Sequence, residues 1–392
     1  MLPLEGITVV SLEQAVAAPF ASRQLADLGA RVIKIERPAV GDFARDYDRS
    51  VKGQSAYFVW LNRSKESLTL DVKHAQASAI LHQLIAKADV FIQNLAPGAA
   101  QRLGLGADVL REKHPRLIVC DISGYGDIGP YAQKKAYDLL VQSEAGVVSV
   151  TGTEDAPSKV GISITDIGTG LHAYAAILAA LYERERTGCG RRIEVTMFDA
   201  MVEWMSHPLY YTHFGGKAPK RSGLNHATIV PYGRFRAGDG KYVMFGIQNE
   251  REWASFCDHV MKQPALAKDA RYDNNTRRTA ARAEVVGLIE ARFARLTAEE
   301  VVAALDAAGI ANAHLNSPDD VWNHPQLKAR DRWREVGSAV GPLPAVLPPA
   351  SFAGDEARMD PIPAIGEHTD AILFDLGYGA EAIAALRASA AI

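Results

Sequence analysis

The residue that first suggests chemistry is a single aspartate, Asp166, in the stretch "GISITDIGTG". It precedes a long apolar segment that predicts a helix from about residue 170 to 187. Asp is a preferred residue at a helix start, where its carboxylate accepts hydrogen bonds from free backbone amides. Those amides and the helix dipole also stabilise an ionised carboxylate by roughly 0.3–1 kcal/mol, as a nucleophile requires. Gly161, Gly168 and Gly170 would leave room for a substrate. This stretch alone favours the helix cap.

Composition and charge exclude some classes of partner. The 392 residues are 48% hydrophobic and 23% charged, with a formal net charge of −3. These values are typical of a globular protein of two or three domains. They give no reason to expect nucleic acid or an anionic membrane as a partner.

The cysteines and the first residues predict a cellular location. Cys120, Cys189 and Cys257 are far apart without CxxC spacing, so neither a disulfide framework nor a zinc site is implied, and we expect no metal. The segment "MLPLEGITVVSLEQ" lacks the basic region of a signal peptide. The longest apolar stretch, residues 170–183, is shorter than the roughly 20 residues that span a bilayer. We therefore expect a cytoplasmic protein with no membrane association.

The elements that must position Asp166 alternate between strand and helix over about the first 125 residues. Strand candidates are "GITVVSL", "ARVIKIE", "SLTLDV", "DVFIQN" and "RLIVCDIS", with helical segments such as "ASAILHQLIAKA" between them. This alternation predicts βαβ units and a doubly wound α/β domain with a parallel sheet. The first strand-to-helix turn, "SLEQAVAAPFAS", has no GxGxxG, so the fold is Rossmann-like without the dinucleotide fingerprint.

A second, smaller α/β domain follows the segment "GGKAPKRSGLNHATIVPYGRF", which is rich in Gly, Pro and basic residues. One of its helices begins with a capping box, Thr297 and Glu300, and ends at Gly309. The predicted division is a large domain at 1–205, a linker at 206–225, the small domain at 226–318, and a return to the large domain with a C-terminal helix at 319–392.

Several segments, taken in order, carry a family resemblance across nearly the whole chain. They include "AAPFASRQLADLGARVIKIERP", "NRSKESLTLDVK", "IQNLAPGAAQRLGLG", "KAYDLLVQSEAG", "TDIGTGLHAYAAILAALYERERTGCGRRIEVTMFDAM" and "NHPQLKARDRW". The sequence resembles the family III CoA-transferases, which include formyl-CoA:oxalate and carnitine CoA-transferases, with α-methylacyl-CoA racemase as an outlying relative. The resemblance implies a ring-shaped subunit of a Rossmann-like domain and a small domain, and two such rings interlocked as a homodimer.

For Asp166 the resemblance reverses the preference for a helix cap, because the family nucleophile is the aspartate of the motif that matches "TDIGTG". Its carboxylate would attack an acyl-CoA thioester and form a mixed anhydride, which the CoA thiolate converts to an enzyme–CoA thioester. The acceptor acid would then repeat these steps in reverse. The implied enzyme has no permanently bound cofactor, and it uses an acyl-CoA and a small carboxylic acid as substrates.

The resemblance also implies residues that bind CoA. They are Val16, Ala17, Arg37, Leu70, Asn94, Leu95, Arg102, Lys135 and Met197. Arg37, Arg102 and Lys135 would supply cations for the phosphates, although Lys134 could replace Lys135 and any of them could be a solvated surface charge. Leu70 and Met197 would pack in any core. Ser123 stands where formyl-CoA transferases have a lysine, so one CoA contact of those enzymes is absent.

The acceptor acid is indicated by "NHATIVPYG" and "GIQNEREW", which resemble the branch that acts on C4 and C5 dicarboxylates such as succinate, itaconate, mesaconate and methylmalate. The glycine-rich covering loop of the oxalate enzymes is replaced here by "SGLNHATIVPYG". A dicarboxylate needs donors for its second carboxylate, because a buried unpaired charge is costly. The candidate donors are Arg221, Asn225, His226 and Tyr232, with Gln14 and Tyr137 near the expected thioester. His226 and Tyr232 could equally be packing residues.

Three alternatives to transfer between two molecules stay open. A racemase would need a histidine where this sequence has Tyr137, and tyrosine, with a reference pKa near 10, is a poor base at neutral pH. A non-catalytic acyl-CoA-binding protein would not need Asp166. CoA could also move between the two carboxyl groups of one molecule. The favoured prediction is transfer from succinyl-CoA to a small dicarboxylate.

Overall fold

The computed structural model describes residues 1–392 and divides into two compact units. The first unit comprises Met1–Val147, Val160–His207 and Leu327–Ile392, and the second comprises Val148–Lys159 and Pro208–Gln326. This division differs from the predicted boundaries in that residues 148–159 and 319–326, expected in the large domain, fall in the second unit.

The first unit is built on a six-stranded parallel sheet. Its strands are β1 (Thr8–Leu12), β2 (Arg31–Glu36), β3 (Lys65–Thr69), β4 (Val90–Gln93), β5 (Ile118–Ser123) and β6 (Arg192–Thr196). The order across the sheet is β3-β2-β1-β4-β5-β6, which reverses direction between β1 and β4. The predicted α/β class with a parallel sheet is confirmed. In sheets of this kind, ligands bind beyond the carboxyl ends of the strands, at the reversal.

Ten helices accompany this sheet or follow it in the chain. They are α1 (Ala17–Asp27), α2 (Ala56–Leu61), α3 (Ala75–Lys87), α4 (Ala99–Arg102), α5 (Ala107–Lys113), α6 (Asp138–Glu144), α7 (Val147–Val150), α8 (Ile164–Thr187), α9 (Met197–Trp204) and α10 (Ser206–Gly215). A short 3₁₀ helix covers Phe43–Asp46. The segment 206–225, predicted to be a linker, therefore begins with a helix.

Both faces of the sheet are buried because successive strand residues point to opposite sides, and both sides are apolar. Val9 lies in a core formed with α1 and α8, to which Ile177 contributes. Val10 lies in a second core, on the side of α3 and α5, to which Ile80 and Leu110 contribute. Helix α8 therefore lies against the sheet, and its N-terminus follows a connection from the carboxyl end of β5.

Helix α8 is longer than the sequence pattern predicts. It begins at Ile164, not near residue 170, and its 24 residues are long and apolar enough to cross a membrane by length and composition. The expectation that the apolar stretch is too short for this is therefore wrong. Ala173, Ile177 and Leu181 are nevertheless buried in the core between α8, α1 and the sheet. Packing against the sheet accounts for the apolar character of this helix.

The second unit contains a three-stranded antiparallel sheet in the order β7-β8-β9. Its strands are β7 (Tyr232–Arg236), β8 (Tyr242–Gly246) and β9 (Asn312–His314). The helices are α11 (Glu250–Ser255), α12 (Asn275–Ala280), α13 (Arg282–Phe293), α14 (Ala298–Ala307) and α15 (Pro318–Trp322), and α16 (Pro325–Ala329) follows. The predicted capping box is confirmed at α14, where Thr297 and Glu300 bind each other's backbone amides. Phe245, Phe256 and Phe293 form the centre of one apolar core.

The C-terminal segment belongs to the first unit. It contains an antiparallel pair, β10 (Trp333–Val336) and β11 (Leu343–Val346), and the helices α17 (Thr369–Asp375) and α18 (Ala380–Ala388). Ile372 and Ile383 are buried in the same core as Val10, so both helices cover the sheet on the side of α3.

Candidate active site

The residues predicted to bind CoA in the first unit follow the carboxyl ends of all six of its strands. Val16 and Ala17 follow β1, Arg37 follows β2, Leu70 follows β3, Asn94, Leu95 and Arg102 follow β4, and Met197 follows β6. Lys135 and Tyr137 lie in the connection after β5. Because the strands are parallel, all these positions lie at one edge of the sheet. Helix α8 connects β5 to β6, so Asp166 in its first turn lies at that edge as well.

Gln14 and Asn94 meet where the strand order reverses. The backbone N–H of Gln14 donates to Asn94 Oδ1 at 2.9 Å, and Asn94 Nδ2 donates to the Gln14 carbonyl at 2.8 Å. The Asn94 side chain therefore joins the turn after β1 to the turn after β4. Its amide is used for this contact, so its role here is to position the turn after β1.

The turn after β1 rests on a buried ionic network. Ala15 adopts a left-handed conformation with φ +63°, and its N–H donates to Asp42 Oδ1 at 3.1 Å. The other Asp42 oxygen binds Lys34 at 2.8 Å, Lys34 binds Glu13 at 3.2 Å, and Glu13 binds Lys65 at 2.7 Å. The side chains of Lys34, Glu13, Asp42 and Lys65 are all 0% exposed.

Charge pairing sets the ionisation of Glu13 and Lys34, whereas burial dominates for Lys65 and lowers its pKa to about 8. Burial by itself would raise the pKa of Glu13, but the charges of Lys65 and Lys34 outweigh it and lower that pKa to about 2. Burial would likewise lower the pKa of Lys34, yet Asp42, Glu13 and Glu36 raise it. The network therefore stays ionised at neutral pH and holds the turn through charged hydrogen bonds.

Asp166 is the third residue of α8 and does not cap it. The N-cap position is Ser163, whose side chain makes no capping hydrogen bond. The cap comes from another helix, because Asp138 Oδ2 accepts from the N–H of Thr165 at 2.8 Å and from that of Asp166 at 3.2 Å. The carboxylate of Asp166 makes no hydrogen bond or ion pair, so it is left available for chemistry.

The electrostatic surroundings of Asp166 disfavour its ionised form. Burial and, to a smaller extent, the nearby charge of Asp138 raise the pKa of Asp166 to about 7. The side chain is only partly buried, so a ligand can still reach it. Near neutral pH, Asp166 is therefore divided between its protonated and ionised forms.

Tyr47 belongs to the electrostatic surroundings of Asp166 and was not predicted from the sequence, and two further aromatic side chains pack against it. Burial, the charge of Asp42 and then that of Asp166 raise the pKa of Tyr47 to about 12. Tyr47 contacts Tyr57 edge-on with ring centroids 5.5 Å apart, and Phe43 at 5.8 Å. All three rings are more than a third exposed. The one sequence signal for these residues is the occurrence of several aromatic residues in the segment between β2 and β3.

The glycines of the first turns of α8 serve helix packing. A Cβ at Gly168 would lie 2.9 Å from Met201 Cε, and a Cβ at Gly170 would lie 2.6 Å from the Ala17 carbonyl oxygen. The interpretation that these two glycines leave room for substrate is wrong, because α9 and α1 occupy that space. Gly161 has no atom within 4 Å of such a Cβ and stays a candidate for that role.

The predicted phosphate-binding cations differ in how free they are. Arg37, Arg102 and Lys135 are exposed and make no ion pair, although Arg37 Nε donates to the Gly41 carbonyl at 3.3 Å. Lys134, in contrast, binds Glu144 at 2.9 Å and lies 3.9 Å from the centre of the Tyr131 ring. Of the two neighbouring lysines, Lys135 is thus the one with a free charge.

The predicted apolar CoA contacts are mostly core residues. Val16 and Ala17 are 3% exposed, Leu70 is 1% exposed and Met197 is 8% exposed. Val16 packs in a small cluster with Ile167, the residue after Asp166. Leu95 is partly buried against the core that contains Val10. Leu70 and Met197 are therefore core residues, as the alternative to CoA contact predicted for both.

The predicted acceptor-binding residues Arg221, Asn225, His226 and Tyr232 lie in the second unit. The guanidinium of Arg221 donates to three backbone carbonyls, those of Ser149, Thr153 and Glu154. It therefore holds residues 148–159 in that unit, which explains the corrected boundary. Because its guanidinium already binds these carbonyls, Arg221 has a structural role and is not proposed to bind the acceptor acid.

The remaining candidates of the second unit are close to each other. The rings of His226 and Tyr232 stack with centroids 5.2 Å apart. The backbone N–H of His226 donates to the backbone carbonyl of Tyr232 at 2.8 Å. Asn225 and Arg221 line a cavity of about 410 Å³ together with Arg234, which the sequence did not single out. This volume suits a small carboxylic acid.

Comparison with known proteins identifies the family. The model of CoA-transferase family III matches residues 4–369. Succinyl-CoA:glutarate CoA-transferase of Mus musculus is 36% identical over 400 residues, which cover 100% of this chain and 91% of that protein. Acetyl-CoA:oxalate CoA-transferase of Acetobacter aceti is 36% identical over 342 residues, 87% of each chain. The crystal structure of a CAIB/BAIF family protein from Brucella suis matches with a TM-score of 0.84 and 34% identity, covering 96% of this chain and 99% of that one.

The chain belongs to CoA-transferase family III. A family III CoA-transferase is an enzyme whose substrates are CoA thioesters, which confirms the predicted class. Among the residues of this CoA-transferase, Asp138 is the clearest omission from the predicted site. It stands in the quoted segment "KAYDLLVQSEAG", directly after Tyr137, but its contact with α8 joins residues 28 positions apart. A contact of this length is set by the fold.

Proposed function

We propose that this CoA-transferase moves CoA from succinyl-CoA to a C4 or C5 dicarboxylate, with Asp166 as the covalent nucleophile. The observation that carries the proposal is the Asp166 carboxylate, which has no partner and lies partly buried in the first turn of α8, at the carboxyl edge of the sheet. The relatives named succinyl-CoA:glutarate CoA-transferase support succinyl-CoA as donor and add glutarate to the candidate acceptors.

The proposed reaction conserves the energy of the thioester in two covalent intermediates. The ionised Asp166 carboxylate attacks the succinyl carbonyl, which breaks its bond to sulfur and forms a mixed anhydride and CoA thiolate. The thiolate attacks the aspartyl carbonyl of the anhydride, forms the enzyme–CoA thioester and releases succinate. The acceptor carboxylate then attacks this thioester, and the returning thiolate takes the acyl group and regenerates Asp166.

The position of Asp166 suits both requirements of this chemistry. A carboxylate held in a salt bridge would be a weaker nucleophile, and Asp166 has no cation beside it. With its pKa raised to about 7, a substantial fraction is still ionised at neutral pH. The carboxylate is thus both more basic than a free aspartate and available.

CoA is proposed to lie along the carboxyl edge of the sheet. Arg37, Arg102 and Lys135 are free cations at that edge and suit its phosphates. The turn at Val16 and Ala17, held by the buried network and Asn94, would let the pantetheine pass close to the backbone. Direct contact of Leu70, Leu95 and Met197 with CoA stays a prediction.

Polar side chains of the second unit are proposed to recognise the acceptor, and Gln14 and Tyr137 stay separate predictions in the first unit. Tyr137 is 66% exposed, and Asn225 and His226 are exposed as well. A second carboxylate gives such donors a charged partner, whereas with a monocarboxylate they stay bound to water, so the preference comes from the added hydrogen bonds to a charged group, about 1.5–3 kcal/mol each.

We also propose the interlocked homodimer of ring-shaped subunits and a cytoplasmic location. Support for association comes from exposed aromatic side chains of α9 and α10, Trp204 at 44%, Tyr210 at 67% and Phe214 at 78%. Support for the location comes from Cys120, Cys189 and Cys257, which are all free thiols.

The test of the proposed function is a transfer assay with purified enzyme and succinyl-CoA. Glutarate, itaconate, mesaconate and methylmalate would be compared with acetate and butyrate, each product being identified by mass. The best dicarboxylate should exceed the monocarboxylates by at least about tenfold in kcat/KM. His226→Ala should raise the KM for the dicarboxylate, while Asp258→Ala, which removes an exposed carboxylate of the second unit, should not.

Two outcomes would contradict the proposal. Equal use of butyrate and glutarate would show that no second carboxylate is recognised. Rapid α-deuteration of a 2-methylacyl-CoA in deuterated water, without any acceptor, would indicate racemase chemistry. Transfer between the two carboxyl groups of one molecule would appear as isomerisation of the CoA thioester of an unsymmetrical dicarboxylate, such as itaconyl-CoA, when no acceptor is present.

A further inference from the structure

The backbone of the nucleophile is held by a residue of a different helix. Asp138 is the first residue of α6, and its Oδ2 accepts from the N–H of Thr165 at 2.8 Å and of Asp166 at 3.2 Å. Free amides at a helix start require such acceptors, and Ser163 at the N-cap supplies none. The amide of Asp166 itself is therefore fixed by Asp138.

Asp138 is in turn fixed by a buried glutamine. Its Oδ1 accepts from Gln142 Nε2 at 2.5 Å, and Gln142 Oε1 accepts from the N–H of Val160 at 2.9 Å. Gln142 is 0% exposed. One turn of α6 thus holds both the segment that enters α8 and the first turn of α8.

The charges around Asp166 leave the carboxylate of Asp138 unopposed. On α1, Arg23 is paired with Asp27, and on β6, Arg192 is paired with Asp121 of β5. The other titratable side chains of the elements packed on α8 are Cys120 of β5, Glu194 of β6, Asp199 and Glu203 of α9, and Glu144 of α6, which is paired with Lys134. Outside these elements are Tyr47 and Tyr137, and near Asp166 α8 itself contributes His172. No cation contacts Asp166, so the like charge of Asp138 acts on it without compensation.

We propose that Asp138 is a positioning residue that holds the nucleophile's backbone and, through its negative charge, favours the states of the enzyme in which Asp166 is uncharged. The inference rests on the proposed role of Asp166 as nucleophile. In both the mixed anhydride and the enzyme–CoA thioester, the aspartyl oxygen charge is gone, having passed to CoA thiolate and then to succinate. Repulsion by Asp138 therefore acts on the resting carboxylate and not on the covalent intermediates.

Protonation and acylation both remove the charge of Asp166, so the charge of Asp138 should favour them by the same factor. Burial and Asp138 together raise the pKa of Asp166 to about 7, which agrees with this direction. A variant without the charge should shift the acid limb of the pH profile and the acylation equilibrium together. A purely structural role for Asp138 would not produce that match.

The test uses Asp138→Asn, which keeps an oxygen for the two amides and removes the charge. In wild type, kcat/KM for succinyl-CoA should rise with pH around 7. In the variant, the acid limb should move to lower pH by about 0.5–2 units, because a neighbouring like charge is lost. At pH 8, the equilibrium between free enzyme and enzyme–CoA thioester, measured by intact mass at fixed succinyl-CoA and succinate, should move toward free enzyme by the corresponding factor of about 3–100.

Two further variants keep the test decisive. Asp138→Ser keeps a hydroxyl oxygen that can accept a hydrogen bond, places no amide group opposite Gln142 Nε2 and carries no charge, so it serves if Asp138→Asn folds poorly. The acid limb of its pH profile should also lie at lower pH than that of wild type. Glu144→Gln is the matched control, because it removes a charge of α6 that is paired with Lys134, and its limb should coincide with that of wild type.

The result that overturns the inference is an acid limb and an acylation equilibrium equal to those of wild type in both Asp138 variants. Asp166→Ala distinguishes this failure from failure of the proposed function. If that variant is inactive while the Asp138 variants behave as wild type, only the role of Asp138 is wrong. If Asp166→Ala stays active, the covalent mechanism itself is wrong.

Discussion

Glu13 and Asp166 lie at the same edge of the parallel sheet, Glu13 directly after β1 and Asp166 in the first turn of α8. Both carboxylates are withdrawn from water, Glu13 completely and Asp166 in part. Their ionisation nevertheless differs in direction, because the pKa of Glu13 is lowered to about 2 and that of Asp166 is raised to about 7. Lys34 and Lys65 neighbour Glu13, whereas the one charged neighbour that acts on Asp166 is another carboxylate, Asp138.

The difference teaches that burial alone does not decide what a carboxylate does in this enzyme. Paired with lysines, Glu13 is a stable ion that supports the turn after β1. Without a cation, Asp166 is a basic carboxylate held at a free-energy cost in the folded state. The first arrangement contributes to stability and the second to reactivity, so substitutions in the two regions should have opposite effects.

The largest expected effect is the loss of activity in Asp166→Ala. Removing the nucleophile should lower kcat by at least about 10⁴-fold, while the affinity for CoA stays within a few-fold of wild type. Hydroxylamine should inactivate wild type only after exposure to succinyl-CoA, and it should not affect the variant. Substantial turnover by Asp166→Ala would contradict covalent catalysis at this residue.

The second effect concerns stability in the other region. Lys65→Met leaves Glu13 buried with one cation fewer, so the free energy of unfolding should fall by about 3–5 kcal/mol in urea denaturation at pH 7. Adding Glu13→Gln should recover part of the loss, because the uncompensated charge is then removed. If the single and double variants were both as stable as wild type, the network would not support the turn.

The smallest expected effect concerns the stability that the folded protein loses by holding Asp166 ionised. Asp166→Asn should raise the free energy of unfolding at pH 8 by about 1–3 kcal/mol, since the folded state no longer holds an ionised carboxylate beside Asp138. The pKa of Asp166 is higher in the folded than in the unfolded state, so wild type loses stability as the pH rises from about 4 through about 7. The difference in free energy of unfolding between the variant and wild type should therefore grow over this pH range and stay constant above it.

Urea denaturation of both proteins between pH 5 and pH 8.5 measures this gain. Glu13 does not interfere there, because its lowered pKa means that its stabilising contribution is lost only as the pH falls from about 4.5 toward 2. A gain that does not change with pH would assign the effect to packing and not to charge.

Local patterns in the sequence were sufficient for much of the fold. The alternation of strands and helices predicted the parallel sheet, and the Thr297–Glu300 pair predicted the start of α14, because both depend on residues close together in the chain. The position of Asp166 at a helix start was predicted for the same reason, although the helix begins earlier than the apolar pattern suggests, so that Asp166 lies inside its first turn. Order and spacing of motifs across the chain were also sufficient to indicate the family.

Tertiary structure alone decided how these residues work. Glu13 and Lys65 are 52 positions apart, and Asp138 and Asp166 are 28 apart, so their contacts depend on which strands and helices become neighbours. The same holds for Arg221, which looked like a substrate donor in a loop and binds the carbonyls of a distant segment, and for Gly168, whose missing side chain admits α9. A sequence shows which side chains carry charge or hydrogen-bond donors. The fold determines which of those groups face each other at a few ångströms, and ionisation depends on that distance and on burial.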